Sequence, residues 1–307
     1  MNKLTGILIT ALIFLCTPLK ADFETGDFSS EKIGRSEQPA GPFKIELSSD
    51  IIAKSKFTDS GFKHQHIGYS QSEAEGNAIV YYNPCYREGI NLGLAYTATD
   101  LNWKHNPFFH QRWFHTATTS IAGFTERLPN WFWKAQVAMN CDLEHFNISD
   151  YINWDILLWG RYTYSCDIGI HLGLIVQTGM QIDRVYPVIG FDWRFNPCWK
   201  LNAIFPLNMS IVYTFDQNWS AALAARFFDS RHRSGNDEPL EKALFHYQNT
   251  GAELDLNYAY NSWLSVNLHG GYTLGGRLKI ANRHNDHPDH FWFNPAAYGG
   301  GEIDIRF

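Results

Sequence analysis

The chain ends in the stretch Ala297–Phe307, AYGGGEIDIRF, and this stretch decides the predicted fold. In an extended strand, Ile303, Ile305 and Phe307 share one face, whereas Glu302, Asp304 and Arg306 share the other. In a transmembrane β-barrel, lipid contacts one face of each strand, the lumen lies on the other, and aromatic residues mark the membrane edge. The C-terminal strand therefore predicts such a barrel.

The N-terminus has the features of an export signal. Lys3 precedes the apolar run Leu4–Cys16, and the small residue Ala21 follows. The next residues are polar and show no hydrophobic period, as is typical of a flexible leader. The predicted division is a signal peptide over 1–21, a flexible periplasmic leader over 22–42 and an outer-membrane β-barrel over 43–307.

Composition narrows the class of protein further. No other segment approaches the roughly 18 consecutive apolar residues that a membrane-spanning helix needs, which excludes a helical membrane protein. An aromatic content of 16%, 24 glycines and 18% charged residues suit a β-rich chain with one apolar face. Loss of Lys3 and Lys20 with the signal peptide changes the net charge from −6 to −8, because residues 1–21 hold no acid. This acidic balance argues against a nucleic-acid partner.

The body of the chain alternates apolar and polar residues with a period of two, as in Ile90–Thr99, Trp131–Asn140 and Leu254–Tyr258. Short turns recur between these runs, each followed by an aromatic residue, and longer polar connections alternate with them. This asymmetry predicts short periplasmic turns and long extracellular loops. The predicted aromatic girdle at the periplasmic rim is Tyr86, Trp131, Trp199, Trp219, Trp263 and Phe307.

The short turns also give the strand count. Six of them imply about twelve strands, the C-terminal strand adds one, and an even number requires one more before Asn83, which we place within 62–72. The prediction is an all-β, antiparallel up-and-down barrel of about fourteen strands, with twelve as the main alternative. Phe205–Leu207 is predicted as a tight reversal, and Phe43–Lys54 is either an extra strand or a segment at the barrel mouth.

A family resemblance appears in the same region. Tyr186–Arg194 (YPVIGFDWR), Trp199–Asn202 (WKLN), the Phe205–Pro206 reversal and Asn218–Ser220 (NWS) resemble an uncharacterised family of bacterial outer-membrane β-barrel proteins, one of the domain-of-unknown-function families. The resemblance extends over about 80–307 as a pattern and is specific over about 185–220. It implies the barrel fold and the outer-membrane location, and it implies no catalytic residue.

Charged residues fall on the predicted lumen face of many strands. An open lumen would make the protein a porin-like channel for small polar solutes, selected by these charges. Alternatively, the interior charges pair with one another in a closed barrel that serves a structural or surface-binding role. The predicted lumen charges are Lys134, Asp155, Arg161, Arg184, Asp192, Arg194, Arg226, Glu253, Asp255, His269, Glu302, Asp304 and Arg306.

Two further groups consist of residue types that bind metals or form disulfides. The last long loop holds three histidines spaced by three, His284, His287 and His290, with aspartates between them. This spacing predicts a divalent-metal site in the loop, and the metal is the one cofactor that the sequence suggests. A solvated polar loop is the alternative. Cys85, Cys166 and Cys198 lie in predicted periplasmic turns and are candidates for a disulfide in an oxidising compartment; an incidental role is the alternative.

A lipid hydrolase is the third functional class. His232–Asn236 (HRSGN) is weakly similar to the His-x-Ser-Asn pattern of outer-membrane phospholipases, but a glycine interrupts it. Ser265 and His269 would lie roughly 13 Å apart on one strand, too far for a nucleophile and its base. We therefore expect a non-enzymatic channel or transport protein. The expected partners are outer-membrane lipid, the barrel-assembly machinery and small polar solutes.

Overall fold

The computed structural model describes residues 41–144, 148–181 and 183–307, which form a single β-sheet closed into a barrel. The predicted signal peptide and all but the last two residues of the predicted leader lie outside the described residues. One short helix, α1 (Ile148–Tyr151), occurs within them, and no helix there is long and apolar enough to cross a membrane. The strands are β1 (Phe43–Lys56), β2 (His66–Asn83), β3 (Glu88–Trp103), β4 (Trp113–Thr125), β5 (Trp131–Asp142), β6 (Ile152–Thr163), β7 (Ile168–Gly179), β8 (Arg184–Asn196), β9 (Trp199–Phe205), β10 (Asn208–Thr214), β11 (Trp219–Arg233), β12 (Leu244–Tyr260), β13 (Leu264–Ala281), β14 (Asp289–Phe293) and β15 (Ala297–Arg306).

The C-terminal strand closes the barrel, as its sequence predicts. β15 is antiparallel to β13 on one side and to β1 on the other, with Ile305 opposite both Leu264 and Ile45. Every other wall strand pairs with its neighbours in the sequence. β14 pairs with the last part of β13, and its Phe293 also bridges Phe57, just after β1. Fourteen strands therefore form the wall, and the predicted count of fourteen is confirmed over the alternative of twelve.

The placement of the first strand corrects the sequence-based prediction. The fourteenth wall strand is β1, which includes the whole of Phe43–Lys54. Residues 62–72 form no strand of their own, because they hold the end of the β1–β2 loop and the start of β2. β1 has the alternation of a wall strand, since Phe43, Ile45 and Leu47 are exposed on its outer face.

The two ends of the barrel differ. The short turns, the start of β1 and the end of β15 lie together, at what is here called the turn end. There Phe43 N donates to Phe307 O at 3.0 Å. The longer connections lie at the opposite end, here called the loop end. Phe205–Leu207 reverses the chain between β9 and β10, as predicted, and the Phe205–Pro206 peptide bond is cis. The predicted girdle residues all belong to the turn end.

In the turn-end half, the period-two pattern places apolar side chains outside and polar side chains inside. On β3, Leu92 and Leu94 are exposed on the outer face, whereas Asn91 lies on the inner face and donates to the buried Asn77 of β2. On β5, Val137 lies outside, and Gln136 lies inside. This half has the arrangement that the sequence pattern predicts for a membrane barrel.

In the loop-end half, three strands leave the wall and cross the lumen. We call residues 226–233 of β11, 244–249 of β12 and 276–281 of β13 the inward-folded segment. Its residues 244–249 are all buried, so both faces of β12 are covered there. Tyr247 stacks on Tyr69 of β2 at 4.2 Å between ring centroids, although β1, β15 and β13 lie between those two strands in the wall.

Two local features explain why these strands bend. The β12–β13 ladder has a bulge between Asn249 and Gly251, and Gly275 has φ +97° at the same level, a backbone conformation that favours glycine. The β9–β10 hairpin has only 7 residues in each strand. It therefore ends before the loop end, and β11 pairs there with β12 alone among the described residues. Without a neighbour in the wall, the edge of β11 is free to turn inward.

The apolar face of the inward-folded segment packs against β1–β4 and the loops above them. Phe245 contacts Phe109 and Phe114, with ring centroids 5.0 and 4.6 Å apart. Phe57, Trp103 and the rings of β14 extend the same cluster. This aromatic core fills one side of the loop-end lumen. It was not predicted from the sequence.

Candidate functional site in the lumen

The opposite face of the inward-folded segment is polar and faces β6–β8. Arg231 Nη2 lies 3.4 Å from Asp155 Oδ1 of β6. His246 Nε2 lies 2.6 Å from Asp229, and Arg184 of β8 lies 3.0 Å from His246 Nδ1. Because arginine can only donate, Nδ1 of His246 accepts from Arg184 and Nε2 donates to Asp229. A charged and hydrogen-bonded seam thus joins the segment to the lumen wall.

A small polar cavity of about 50 Å³ lies along this seam, beside the free edge of β11. Hydroxyl, amide and carboxylate groups of β2–β6 line it, among them Thr99, Asn140 and Asp155. The buried atoms in its lining that have no hydrogen-bond partner among the described residues are Thr99 Oγ1, Ser230 Oγ, Arg231 Nη1 and His232 Nε2. Buried polar groups in native proteins are bonded to protein or to water, so a seam of this composition is suited to water.

Below the seam, many of the predicted lumen charges form ion-pair clusters. Arg226 of β11 lies 2.8 Å from Asp50 of β1 and 3.4 Å from Glu253, and His269 lies 2.7 Å from the same Asp50. These contacts connect β1 with β11 and β13, across the closing strand β15. Asp50 was not among the sequence-predicted site residues.

A second cluster lies on β6–β9. Asp192 accepts two hydrogen bonds from Arg161, at 3.0 and 3.1 Å, and lies 2.7 Å from His171. Lys200 is 3.9 Å away from the same carboxylate. A bidentate arginine–carboxylate pair fixes the orientation of both groups.

The remaining predicted charges also occupy lumen-facing positions. Arg306 pairs with Asp304 at 2.9 Å near the turn end. Lys134 is buried, and Arg194 falls on an inward position of β8. Asp255 and Glu302 also face inward, and both extend the Arg226 cluster, because each carboxylate interacts with the charge of Arg226. The structure thus places the predicted charges on one surface, but it divides them into separate groups, and it adds Asp50, His171, Asp229, Arg231 and His246.

The loops at the loop end are tied together by Arg233, which is 1% exposed. Its guanidinium donates to the carbonyl oxygens of Asp150, Lys242 and Arg283, at 2.8, 3.0 and 3.0 Å. Lys242 Nζ also lies 2.7 Å from the Asp150 carboxylate, and this hydrogen bond holds the pKa of Asp150 below its usual value. Three loops are therefore fastened over the inward-folded segment.

The predicted metal and disulfide residues are not gathered into sites. His284 and His287 lie in the β13–β14 loop and His290 lies in β14, and no three His, Cys, Asp or Glu side chains of the described residues are grouped to hold a metal. The prediction of a disulfide disagrees with the structure, where the described cysteines Cys85, Cys141, Cys166 and Cys198 are free thiols. Cys85, Cys166 and Cys198 occupy turns of different hairpins. Adjacent hairpin turns are two strand spacings apart, about 10 Å, beyond the reach of a disulfide.

The candidate hydrolase residues are not arranged for catalysis. The ring of His232 packs on Phe114 and Phe245, and Ser234 Oγ donates to Leu240 O. Both ring nitrogens of His269 are engaged, by Asp50 and Asn267. Among the described residues, neither histidine contacts a serine hydroxyl as a catalytic base would.

The outer surface and the girdle complete the description of the barrel. Tyr86, Trp199, Trp219, Trp263 and Phe307 are exposed at the turn end, and Trp131 is half-buried beside Trp133. All six rings lie in or beside the turns and chain ends of this end of the barrel. This is the position in which aromatic residues meet a membrane interface.

Comparison with known proteins begins with a family model. The model described as "Domain of unknown function (DUF6268)" matches residues 130–288, slightly more than half of the chain. The chain belongs to the DUF6268 family. The predicted resemblance to a domain-of-unknown-function family of barrels is confirmed.

Curated relatives of this DUF6268 protein include an uncharacterised protein of Chlamydia pneumoniae, 24% identical over 88% of both chains. Another is an uncharacterised protein of Chlamydia trachomatis, 23% identical over 88% of both chains. Similar solved structures include the COG4313 outer membrane channel from Pseudomonas putida F1, with a TM-score of 0.49, 8% identity and coverage of 91% of this chain and 98% of that one. The Pseudomonas putida toluene transporter TodX has a TM-score of 0.43 at 8% identity, covering 92% and 94%. The barrel fold of this DUF6268 protein is established by the strand pairing described above.

Proposed function

We propose that this DUF6268 protein is an outer-membrane channel for small polar solutes, closed at its loop end by the inward-folded segment. In this proposal the turn end is periplasmic and the loop end faces outward, in line with the arrangement of bacterial barrels. The outward apolar side chains of the turn-end half and the aromatic girdle support a position in a membrane.

The single observation that carries the channel proposal is the seam beside the free edge of β11. An unpaired strand edge presents backbone N–H and C=O groups that cost about 1–3 kcal/mol each when buried without a partner. Among the described residues, 226–233 pair with β12 alone, and buried Ser230 Oγ and Arg231 Nη1 have no hydrogen-bond partner. Water along this edge would satisfy these groups, and such a wet, charged seam is a route that small polar solutes would follow when it widens.

The closing segment is built to move as a unit. Its apolar face contacts the wall through aromatic packing, and its polar face contacts the wall through Arg231–Asp155 and Arg184–His246. Within the described residues, no strand pairing connects the β11 edge of the segment to the β5–β6 wall. Displacement of the β11 edge would therefore break side-chain contacts and no strand pairing, whereas the β13 edge stays joined to the end of β1 through β14.

Planar-bilayer recording of the purified, folded protein tests this function. We expect a mostly closed channel with brief openings, and we expect Arg231→Gln to shift its ion preference toward cations, because one positive charge leaves the seam. Arg87→Gln is the matched control, since Arg87 lies at the turn-end rim and pairs with Glu126 at 3.0 Å. It should leave the preference unchanged.

The competing function is a permanently closed barrel with a structural or surface-binding role. It would be supported if folded, heat-modifiable protein never conducted, either as the wild type or with the closing contacts weakened. In that case the channel proposal would be wrong, although the barrel and its membrane position would stand.

A further inference from the structure

The lysines of this chain fall into two groups. Four of the nine lysines in the described residues form no ion pair or side-chain hydrogen bond with another described residue, and all four lie at the loop end of β1–β3: Lys54, Lys56, Lys63 and Lys104. Each of the other five interacts with another residue, and the partner is a polar side chain for Lys44, Lys200, Lys242 and Lys279; the fifth is Lys134. We call the first four the lysine patch.

The patch is an outward-facing surface of adjacent strands. Lys56 lies directly opposite His66 in the β1–β2 ladder, and both are exposed. The stem of Lys54 lies over Gly68, near Asn102 of β3, where a glycine leaves room for it. Lys63 and Lys104 are exposed in the two loops that follow β1 and β3. Strand register places Lys56 beside β2, and the loops that carry Lys63 and Lys104 leave the same end of β1 and β3.

Acidic residues are scarce around the patch. Residues 51–72 and 101–112 contain a single carboxylate, Asp59, although the whole chain has a formal charge of −6. Asp59 already accepts a hydrogen bond from Trp292 N at 2.9 Å. The lysine patch is therefore a local concentration of positive charge on an acidic protein, and its mutual repulsion would be relieved by a bound anion.

The patch begins where the apolar outer surface ends. On β1, Ile51 is 62% exposed just before Lys54 and Lys56. Trp292 is exposed beside the same edge, since Thr58 N donates to its carbonyl oxygen. An aromatic ring and lysine stems next to an apolar surface are typical of the headgroup level of a membrane.

We propose that the lysine patch binds the phosphate groups of anionic lipid in the leaflet on the loop side. The proposal rests on the membrane position given under the proposed function, and it does not depend on whether the lumen conducts. A lipid headgroup fits better than a soluble anion, because its acyl chains would lie on the adjacent apolar surface around Ile51 while its phosphates meet the ammonium groups. Lysine suits this role because its flexible stem reaches sideways along the surface.

Native mass spectrometry of the full-length, detergent-solubilised protein titrated with lipid A, a bisphosphorylated glycolipid, tests the proposal. Each lysine near an anionic surface contributes about 1 kcal/mol, which is about fivefold in affinity. We expect the quadruple variant Lys54→Gln/Lys56→Gln/Lys63→Gln/Lys104→Gln to bind lipid A at least about tenfold more weakly. The same four positions changed to Arg should retain binding, and phosphatidylcholine should not compete.

The control removes exposed cations from the other end of the barrel. Arg87→Gln/Arg127→Gln should bind lipid A like the wild type, because these arginines lie at the turn end and pair with Glu126 and Glu88. Equal binding by the quadruple glutamine variant would overturn the proposal. Displacement of lipid A by millimolar inorganic phosphate would also overturn it in favour of a free-anion site. Heat-modifiable migration verifies that each variant is folded, and bilayer recording reports separately on the channel proposal.

Discussion

The substitution Phe245→Ala tests whether the inward-folded segment closes the lumen. Phe245 is 0% exposed, and its ring contacts Phe109, Phe114 and His232 at centroid distances of 5.0, 4.6 and 5.3 Å. Truncation of a buried Phe to Ala costs about 3–5 kcal/mol. The contacts with Phe109 and Phe114 join the segment to β4 and the loop before it, so we expect the cost to fall mainly on the closed state.

A loss of about 3 kcal/mol from the closed state alone would shift the closed-to-open ratio by about 100-fold. We expect the fraction of time spent open in single-channel recordings to rise accordingly, up to saturation. The matched control is Leu157→Ala, because Leu157 is equally buried, at 1% exposure, in a separate apolar cluster on the β6–β9 wall. It should lower the free energy of unfolding without raising the open fraction. If Phe245→Ala destabilised the barrel and left the open fraction unchanged, the proposed movement of the segment would be refuted.

The remaining predictions concern the loops and the bend. Arg233→Met should lower the melting temperature and increase protease cleavage of the loops, because three carbonyl groups lose a charged donor; Arg283→Met, which keeps that donor, is the control. The pKa of Asp150 is lowered by Lys242, so this pair stabilises the fold above the unfolded pKa of about 4, and its contribution is lost as the pH falls through the lowered value. Melting curves should therefore show a smaller acid-induced loss of stability in Lys242→Gln than in the wild type, and equal losses would contradict this. Gly275→Ala should cost about 1 kcal/mol or more in chemical unfolding because φ is +97° there; Gly76→Ala, where a Cβ meets no neighbour within 4 Å, should be nearly neutral.

The period-two pattern was sufficient to predict the wall of the barrel. Runs such as Trp131–Asn140 show it clearly, because lipid and lumen impose opposite polarity on alternate residues. The closing strand followed from the same pattern, and the strand number followed from the six short turns and the even number of strands in bacterial barrels. The error over the first strand came from β1, whose central Ser48 and Ser49 weaken the alternation.

The inward-folded segment could not be predicted from alternation, because both of its faces are buried. Leu244–Asn249 (LFHYQN) lacks the expected period. The lack of alternation inside an otherwise alternating barrel is the signal that could have located it. The pairing of Asp50 with Arg226 and His269 was also beyond sequence reasoning, since 176 and 219 residues separate the partners.

The claim that the inward-folded segment closes the channel is tested most directly by fixing this segment to the wall during recording. The background variant has Cys85, Cys141, Cys166 and Cys198 changed to Ser. Adding Asp155→Cys and Arg231→Cys places one thiol on β6 and one on β11, at the seam. If the segment closes the channel, a short, cleavable bis-thiol cross-linker abolishes the openings and cleavage of the linker restores them. Openings that continue unchanged in fully cross-linked protein would contradict the claim that this segment closes the channel.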